Sequence, residues 1–260
     1  MRIHLFEFED LEWFPDTIRE GMVDALRYLF KILKYYNPVV PLLKDALEKT
    51  NQHHILDLGS GGGGAIEFIH HDLEESMQKN IKITLSDKYP NINAFEYIKQ
   101  KTKGKIEYAT SPVDALNVDK NLVGFRTLFT VCHHFKPETV KAIIRDAVDN
   151  KTGIAIFDGG DKNLLTILLI IILQPIGFIV GTPFFRPFRF SRILFTYIIP
   201  LIPLCTVWDG VISTLRLYHP HELLKFANEI DAKNYVWKAG KVRNKFGLHV
   251  AYLIGYPINQ

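Results

Sequence analysis

The stretch "ILDLGSGGGG", from Ile55 to Gly64, constrains the fold more than any other part of this chain. A short apolar run that closes on an acid and then opens into four consecutive glycines reads as a strand turning sharply into a helix start. Glycine allows backbone conformations closed to other residues, but it loses the most freedom on folding. Four in a row with no side chain to pack therefore read as a loop kept for close approach to a ligand. In an open parallel sheet, ligands gather at the carboxyl ends of the strands where the winding reverses, so this loop is the expected ligand site.

Two ligand classes compete for it. Gly59, Gly61 and Gly64 fit the dinucleotide fingerprint, whereas Asp57-x-Gly59-x-Gly61-x-Gly63 fits the loop that receives S-adenosylmethionine. A dinucleotide sets its pyrophosphate against the helix start, where the Asp57 carboxylate would repel it. S-adenosylmethionine carries no phosphate, and its ammonium and sulfonium are cations that a carboxylate and loop carbonyls stabilise. The glycines leave both open; Asp57 favours the cationic ligand.

Periodicity organises the rest. Ile18, Met22, Leu26, Leu29, Phe30 and Leu33 predict an amphipathic helix over Asp16 to Tyr36, capped by a Thr17/Glu20 box and ended by Asn37-Pro38. A shorter helix follows over Pro41 to Glu48. Strands and helices then alternate: His54 to Leu58, Ala65 to Lys79, Lys82 to Ser86, Asn91 to Lys101, Ile106 to Ala109, Thr127 to Val131, Pro137 to Asp149, Gly153 to Asp158. A helix over His219 to Ile230 and strands at Tyr235 to Gly240 and His249 to Tyr256 complete the pattern. Such alternation predicts an α/β, doubly wound parallel sheet covered on both faces. At 260 residues the chain suits one domain. Its parts are a helical cap (1–50), a ligand-binding core (51–160), an apolar insertion (161–212) and a closing helix with strands (213–260).

The motifs in this order resemble the class I S-adenosylmethionine-dependent methyltransferases, clearly over Asn51 to Asp158 and in outline from His219 onward. "ILDLGSGGGG" corresponds to their first motif, so the resemblance implies that Asp57, Gly59, Ser60, Gly61 and Gly63 hold the cofactor. "ITLSDKYP" resembles the end of their second strand and places Asp87 where the family's acid holds the ribose hydroxyls. "YATSPVDAL" resembles the turn after their third strand, with Val113 beside the adenine and Asp114 on its amino group. Without the resemblance, Asp87 and Asp114 would read as helix or turn caps.

"LFTVCHHF" ends the fourth strand and puts His133 and His134 where a methyl acceptor approaches. An imidazole can take a hydroxyl proton near neutral pH. Packing is the expectation for His133, while His134 divides evenly between packing and a base. His53, His54, His70 and His71 read as solvated or packing residues, and no metal site is expected, although Asp158 and Asp161 close the fifth strand.

Between Asn163 and Phe185 there is no charged residue. Gln174, Pro175, Gly177, Gly181 and Pro183 argue against one straight span, leaving about ten good helical residues, roughly half a hydrocarbon core. The chain must also return to the side it left, because it resumes the same sheet afterwards. The expectation is an interfacial or re-entrant membrane element with Arg186, Arg189 and Arg192 at anionic headgroups; a soluble lid or a dimer interface is the alternative. Trp13, Phe14 and Tyr35 could wall the acceptor site or simply pack, and Asp209 could cap the re-entering chain.

An apolar content of 47% with 23% charged residues excludes disorder of the whole, and a net charge of +3 says little about partners, with no nucleic acid expected. The densest basic run, Lys99 to Lys105, lacks aromatics and reads as a solvated helix end. Two distant cysteines and the absence of a signal-peptide pattern suit a cytoplasmic location, peripheral at the inner face of a membrane. The resulting expectation is methyl transfer from S-adenosylmethionine to a lipophilic small molecule at oxygen. An NAD-dependent oxidoreductase and a noncatalytic membrane-associated module of the same fold are the alternatives.

Overall fold

Alternating apolar side chains of the central strands feed two separate cores, which is why this sheet is covered on both faces. The computed structural model describes residues 2–258. Strands β1 (His54–Leu58), β2 (Lys82–Ser86), β3 (Ile106–Tyr108), β4 (Phe125–Phe129), β5 (Ile154–Gly159), β6 (Tyr235–Arg243) and β7 (His249–Pro257) form one sheet in the order β3-β2-β1-β4-β5-β7-β6. The first five run parallel, and β7 is antiparallel to both β5 and β6. Ile55 and Phe157 pack on one face with α2 (Val40–Lys49), α3 (Gly64–Met77) and α4 (Ile92–Lys101). Their neighbours Leu56 and Ile156 pack on the other face with α5 (Pro137–Asp149) and α9 (Pro220–Asn228). The winding reverses between β1 and β4, so the glycine loop emerges at the switch point.

Strand β4 begins two residues earlier than the apolar run suggests. Gly124, at φ 139°, sets its start, and Thr130, at φ 57°, turns the chain out of the sheet before Val131. Helix α1 (Asp16–Leu33) ends at Lys34 in the left-handed conformation, ahead of Asn37-Pro38. The expected capping box does not form: Pro15 is the N-cap, and Glu20 pairs with Arg189 instead.

The apolar insertion departs most from its sequence reading. Helix α6 (Leu164–Gly181) runs unbroken through Pro175. Asn163 caps it by accepting from Thr166 N at 2.8 Å. Its middle lies against α8 (Leu201–Arg216), where a Cβ on Gly210 would come within 3.0 Å of Gln174 and 3.2 Å of Ile170. That close packing holds the helix across the proline. The return passes through α7 (Phe190–Ile193) and a π-turn, then bends by 79° into α8. A third core of Phe14, Ile18 and Met22 with Phe178, Phe185 and Ile202 fixes the insertion onto α1.

Candidate active site

The loop after β1 turns through Gly59, Gly61 and Gly63 at φ 67°, 53° and 74°. Helix α1 covers it, and a Cβ on Gly62 would stand 2.7 Å from Val23 while one on Gly63 would overlap Ile98. The glycines thus gain close packing as well as turning freedom, contrary to the sequence expectation, because a helix lies directly on the loop. Asp57 sits beneath it, buried. Its Oδ1 accepts from Thr127 at 2.6 Å and its Oδ2 from the Ser60 hydroxyl at 2.7 Å. Burial pushes its carboxyl up to about 7 against the pull of those hydroxyls.

Asp87 closes the rim from β2. Its Oδ2 accepts from Gly61 N and its Oδ1 from Tyr89 N, each at 2.8 Å, while its carbonyl accepts from Val113 N at 2.9 Å. Lys88 lies 3.2 Å from Asp114, whose carboxylate also accepts from Leu116 N at 3.0 Å. Gly61, Asp87, Val113 and Asp114 therefore share one edge at the carboxyl ends of β1 to β3. Both Asp87 and Asp114 cap their local turns as well.

The histidine pair joins this edge through Val131, which would lie 2.8 Å from a Cβ on Gly59. His133 is buried with Nδ1 3.3 Å from Asp158. The His134 ring lies 4.4 Å from it, centroid to centroid, and Nδ1 meets Asp10 at 2.7 Å and Glu7 at 3.3 Å. Burial alone would lower the His134 pKa, but the Glu7 charge and the Asp10 hydrogen bond outweigh it and raise it to about 9. Glu7 and Asp10 thus shift its titration above the neutral range expected from the sequence.

Those acids belong to an N-terminal strap missing from the sequence reading. Arg2 donates to the carbonyls of His133 and Phe135 at 2.7 and 2.8 Å and stacks over Tyr218. From α8, Arg216 reaches Glu7 at 3.0 Å and Asp10 at 2.7 Å, and Asp209 accepts from Phe8 N and Glu9 N at 2.7 and 3.1 Å. Asp209 therefore caps the strap rather than the re-entering chain. Its seven-residue spacing from Arg216 places both on one helix face, the one signal that could have linked them.

The strap ties stability to pH. Burial and neighbouring acids raise Glu9 to about 8 and Asp209 to about 7, above ordinary carboxylates. With His134, these groups bind protons more tightly folded than unfolded. The carboxyl contribution is complete below about pH 4, the imidazole contribution below about 6.5, and both are lost as pH rises through their folded values. Asp10 is shifted downward, its partners His134 and Arg216 outweighing burial, so its share is lost on acidification. The unfolding free energy should fall between pH 6 and 9, less steeply for Asp209→Asn; a flat denaturation series over that range would refute this linkage.

The remaining candidates fall outside the edge. His54 and His70 bond Thr84 and the Ile81 carbonyl at 2.9 Å, and Asp161 is held by Lys241 and His249. Phe14 is core, Trp13 is exposed, and Tyr35 packs under Gly159. Ligand atoms of Glu7, His133 and His134 lie within 4.8 Å of one another, a spacing that a metal ion could bridge, although Arg216 and Asp10 already engage two of the three.

No protein-family model and no curated protein matches the sequence. Among solved structures the chain is similar to human N-acetylserotonin methyltransferase in complex with SAM. The TM-score is 0.52 at 12% identity, covering 93% of this chain and 56% of that one, so this chain spans little more than half of its length. It is similar also to the plantazolicin methyltransferase BpumL in complex with SAH, at TM-score 0.51 and 11% identity over 93% of this chain and 88% of that one. Together with the strand order and the antiparallel β7, these likenesses establish that the chain has the fold of the class I S-adenosylmethionine-dependent methyltransferases.

Proposed function

We propose that this protein transfers a methyl group from S-adenosylmethionine to a hydroxyl of a lipophilic small molecule. The observation that carries this reading is the shared edge of Gly61, Asp87, Val113 and Asp114 at the switch point, with the histidine pair beside it. A carboxylate has about four lone-pair sites. Asp87 uses two of them on Gly61 N and Tyr89 N, which leaves acceptor capacity for ribose hydroxyls. Val113 would flank the adenine and Asp114 would accept from its amino group. Gly59, Ser60, Gly61 and Gly63 would line the methionine end, with Asp57 bracing the loop from below.

The bound cofactor supplies a methyl carbon made electrophilic by its sulfonium. Methyl transfer from it to a hydroxyl would release the hydroxyl proton, which the chain must accept. His134 takes that proton in this reading, through the ring nitrogen not engaged by Asp10, once the imidazolium has lost its own. Holding oxygen, carbon and sulfur in line supplies much of the acceleration.

Calorimetric titration tests the cofactor assignment. S-adenosylmethionine should bind and NAD should not; the opposite result would select the oxidoreductase alternative. Asp87→Ala should weaken binding by roughly 1.5 to 3 kcal/mol for each charge-assisted hydrogen bond lost. Unchanged affinity in a folded variant would remove Asp87 from the site. Transfer of label from methyl-labelled cofactor into a cell extract separates an enzyme from a noncatalytic module.

A further inference from the structure

We infer that α6 lies in the plane of a lipid bilayer, half embedded, and that the acceptor reaches the histidine pair laterally from that bilayer. The second half of this inference rests on the methyltransferase reading; the first stands without it.

Of the eighteen residues of α6, only Phe178 and Gly181 are buried. Together with the turn at Thr182–Phe184, it forms the single continuous helix among the described residues that is long and apolar enough to cross a membrane, Leu164–Phe184. Ile171, Ile172 and Leu173 are consecutive and are each about half exposed, at 47%, 56% and 55%. At 100° per residue, they sweep about 200° of the helix circumference. A flat protein partner, including a second copy of this chain, covers one stripe of a helix; a surface apolar over more than half its circumference calls for a surrounding apolar medium. Of its two polar side chains, Thr166 lies in the capped first turn and Gln174 turns inward against Gly210.

Orientation follows from how the helix is held. Its first turn, capped by Asn163, follows the end of β5 after only four residues, its middle rests on α8, and its end is fixed to α1 by Phe178 and by Gly181 against Phe185. Anchored at both ends and underneath, a rod of about 27 Å cannot stand across the bilayer apart from the body. It lies along the surface. Exposed tryptophans suited to a headgroup boundary stand on neighbouring elements: Trp13, beside the core residue Phe14, is 72% exposed, and Trp208 on α8 is 39% exposed, its indole donating to the Phe6 carbonyl at 3.1 Å.

Two of the three arginines do not carry this attachment. Arg189 and Arg192 turn inward to Glu20 and Asp24, which corrects the expectation that they meet headgroups, whereas Arg186 stays exposed and donates only to the carbonyls of Pro183 and Phe185. With two of the three paired internally, attachment is mainly hydrophobic and depends little on salt. The patch also adjoins the active site. One helix, α8, exposes Leu204 and Trp208 outward and aims Asp209 and Arg216 at the strap that grips His134.

The test floats the full-length protein with phosphatidylcholine vesicles and compares it with a Leu165→Lys/Ile172→Lys/Val180→Lys variant, three exposed positions whose replacement spares the core. The parent should float equally at low and high salt, and the variant should partition at least tenfold less while melting at the parental temperature. Loss of parental flotation at high salt, equal flotation of both proteins, or a discrete dimer by ultracentrifugation that no longer binds vesicles would each overturn the bilayer assignment. For delivery, methyl-labelled cofactor is supplied with a lipid extract either in vesicles or dispersed in detergent. The variant should lose incorporation at least tenfold in vesicles and match the parent in detergent; equal loss in both would overturn lateral entry. Absence of incorporation by the parent in both, or of cofactor binding by calorimetry, would instead defeat the methyltransferase reading and leave the flotation result standing.

Discussion

Replacing Arg192 with alanine should destabilise the protein by about 3 to 5 kcal/mol, the usual consequence of stranding one member of a buried ion pair. Arg192 is 1% exposed and its partner Asp24 is 1% exposed, at the junction between the apolar insertion and α1. Arg192 also donates to the Pro187 carbonyl at 3.0 Å and lies over the Phe185 ring. At about 2 to 4 °C per kcal/mol for a chain of this size, the melting temperature should fall by roughly 10 °C. A headgroup role predicts the opposite pair of results, a parental melting temperature with weaker binding to anionic vesicles. Pairing Arg192→Met with Asp24→Leu should recover much of the loss, because replacing both charges removes the unpaired one. Failure of Arg192→Ala to lower the melting point would show that the pair does not hold the insertion to α1.

His134→Gln should lower turnover about a hundredfold or more while leaving S-adenosylmethionine affinity near the parental value. With Glu7 and Asp10 raising the imidazole to about 9, the free base is scarce at neutral pH. The parental kcat/KM should therefore climb about tenfold per pH unit above 7 and level off near 9. The variant should lack that limb. It should also lose roughly 1 to 3 kcal/mol of stability, since both acids lose a partner, so activity is compared at equal folded fraction. Parental turnover with the limb intact would leave His134 as the strap's anchor alone and assign the rate to positioning of the acceptor.

The sheet was legible because its signals are local. Apolar runs of strand length, amphipathic helices between them and a glycine turn each lie within a few residues, and six of the strands begin at the residue that the pattern indicated or one after it. The candidate edge was legible for the same reason. In a doubly wound sheet, the ends of successive strands meet in space, so Gly61, Asp87 and Val113 become neighbours once the strands are ordered.

The strap and the arginines were not legible, because their partners are far away along the chain. Asp10 and His134 are 124 residues apart, and Arg192 and Asp24 are 168 apart. Nothing local tells an arginine between aromatics whether it will meet a phosphate or a carboxylate, and only the docking of the insertion on α1 decides it. The same holds for α6. By itself the sequence determined that this segment is apolar and flanked by helix breakers. Tertiary packing against Gly210 carried the helix through Pro175, and anchoring at both ends laid it along the body with its apolar surface outward. Sequence alone thus determined the succession of strands and helices, the order of the motifs and which residues stand at the rim. The tertiary structure decided the proton state of His134 and the direction each charge faces, since both depend on burial and on charges brought close by folding.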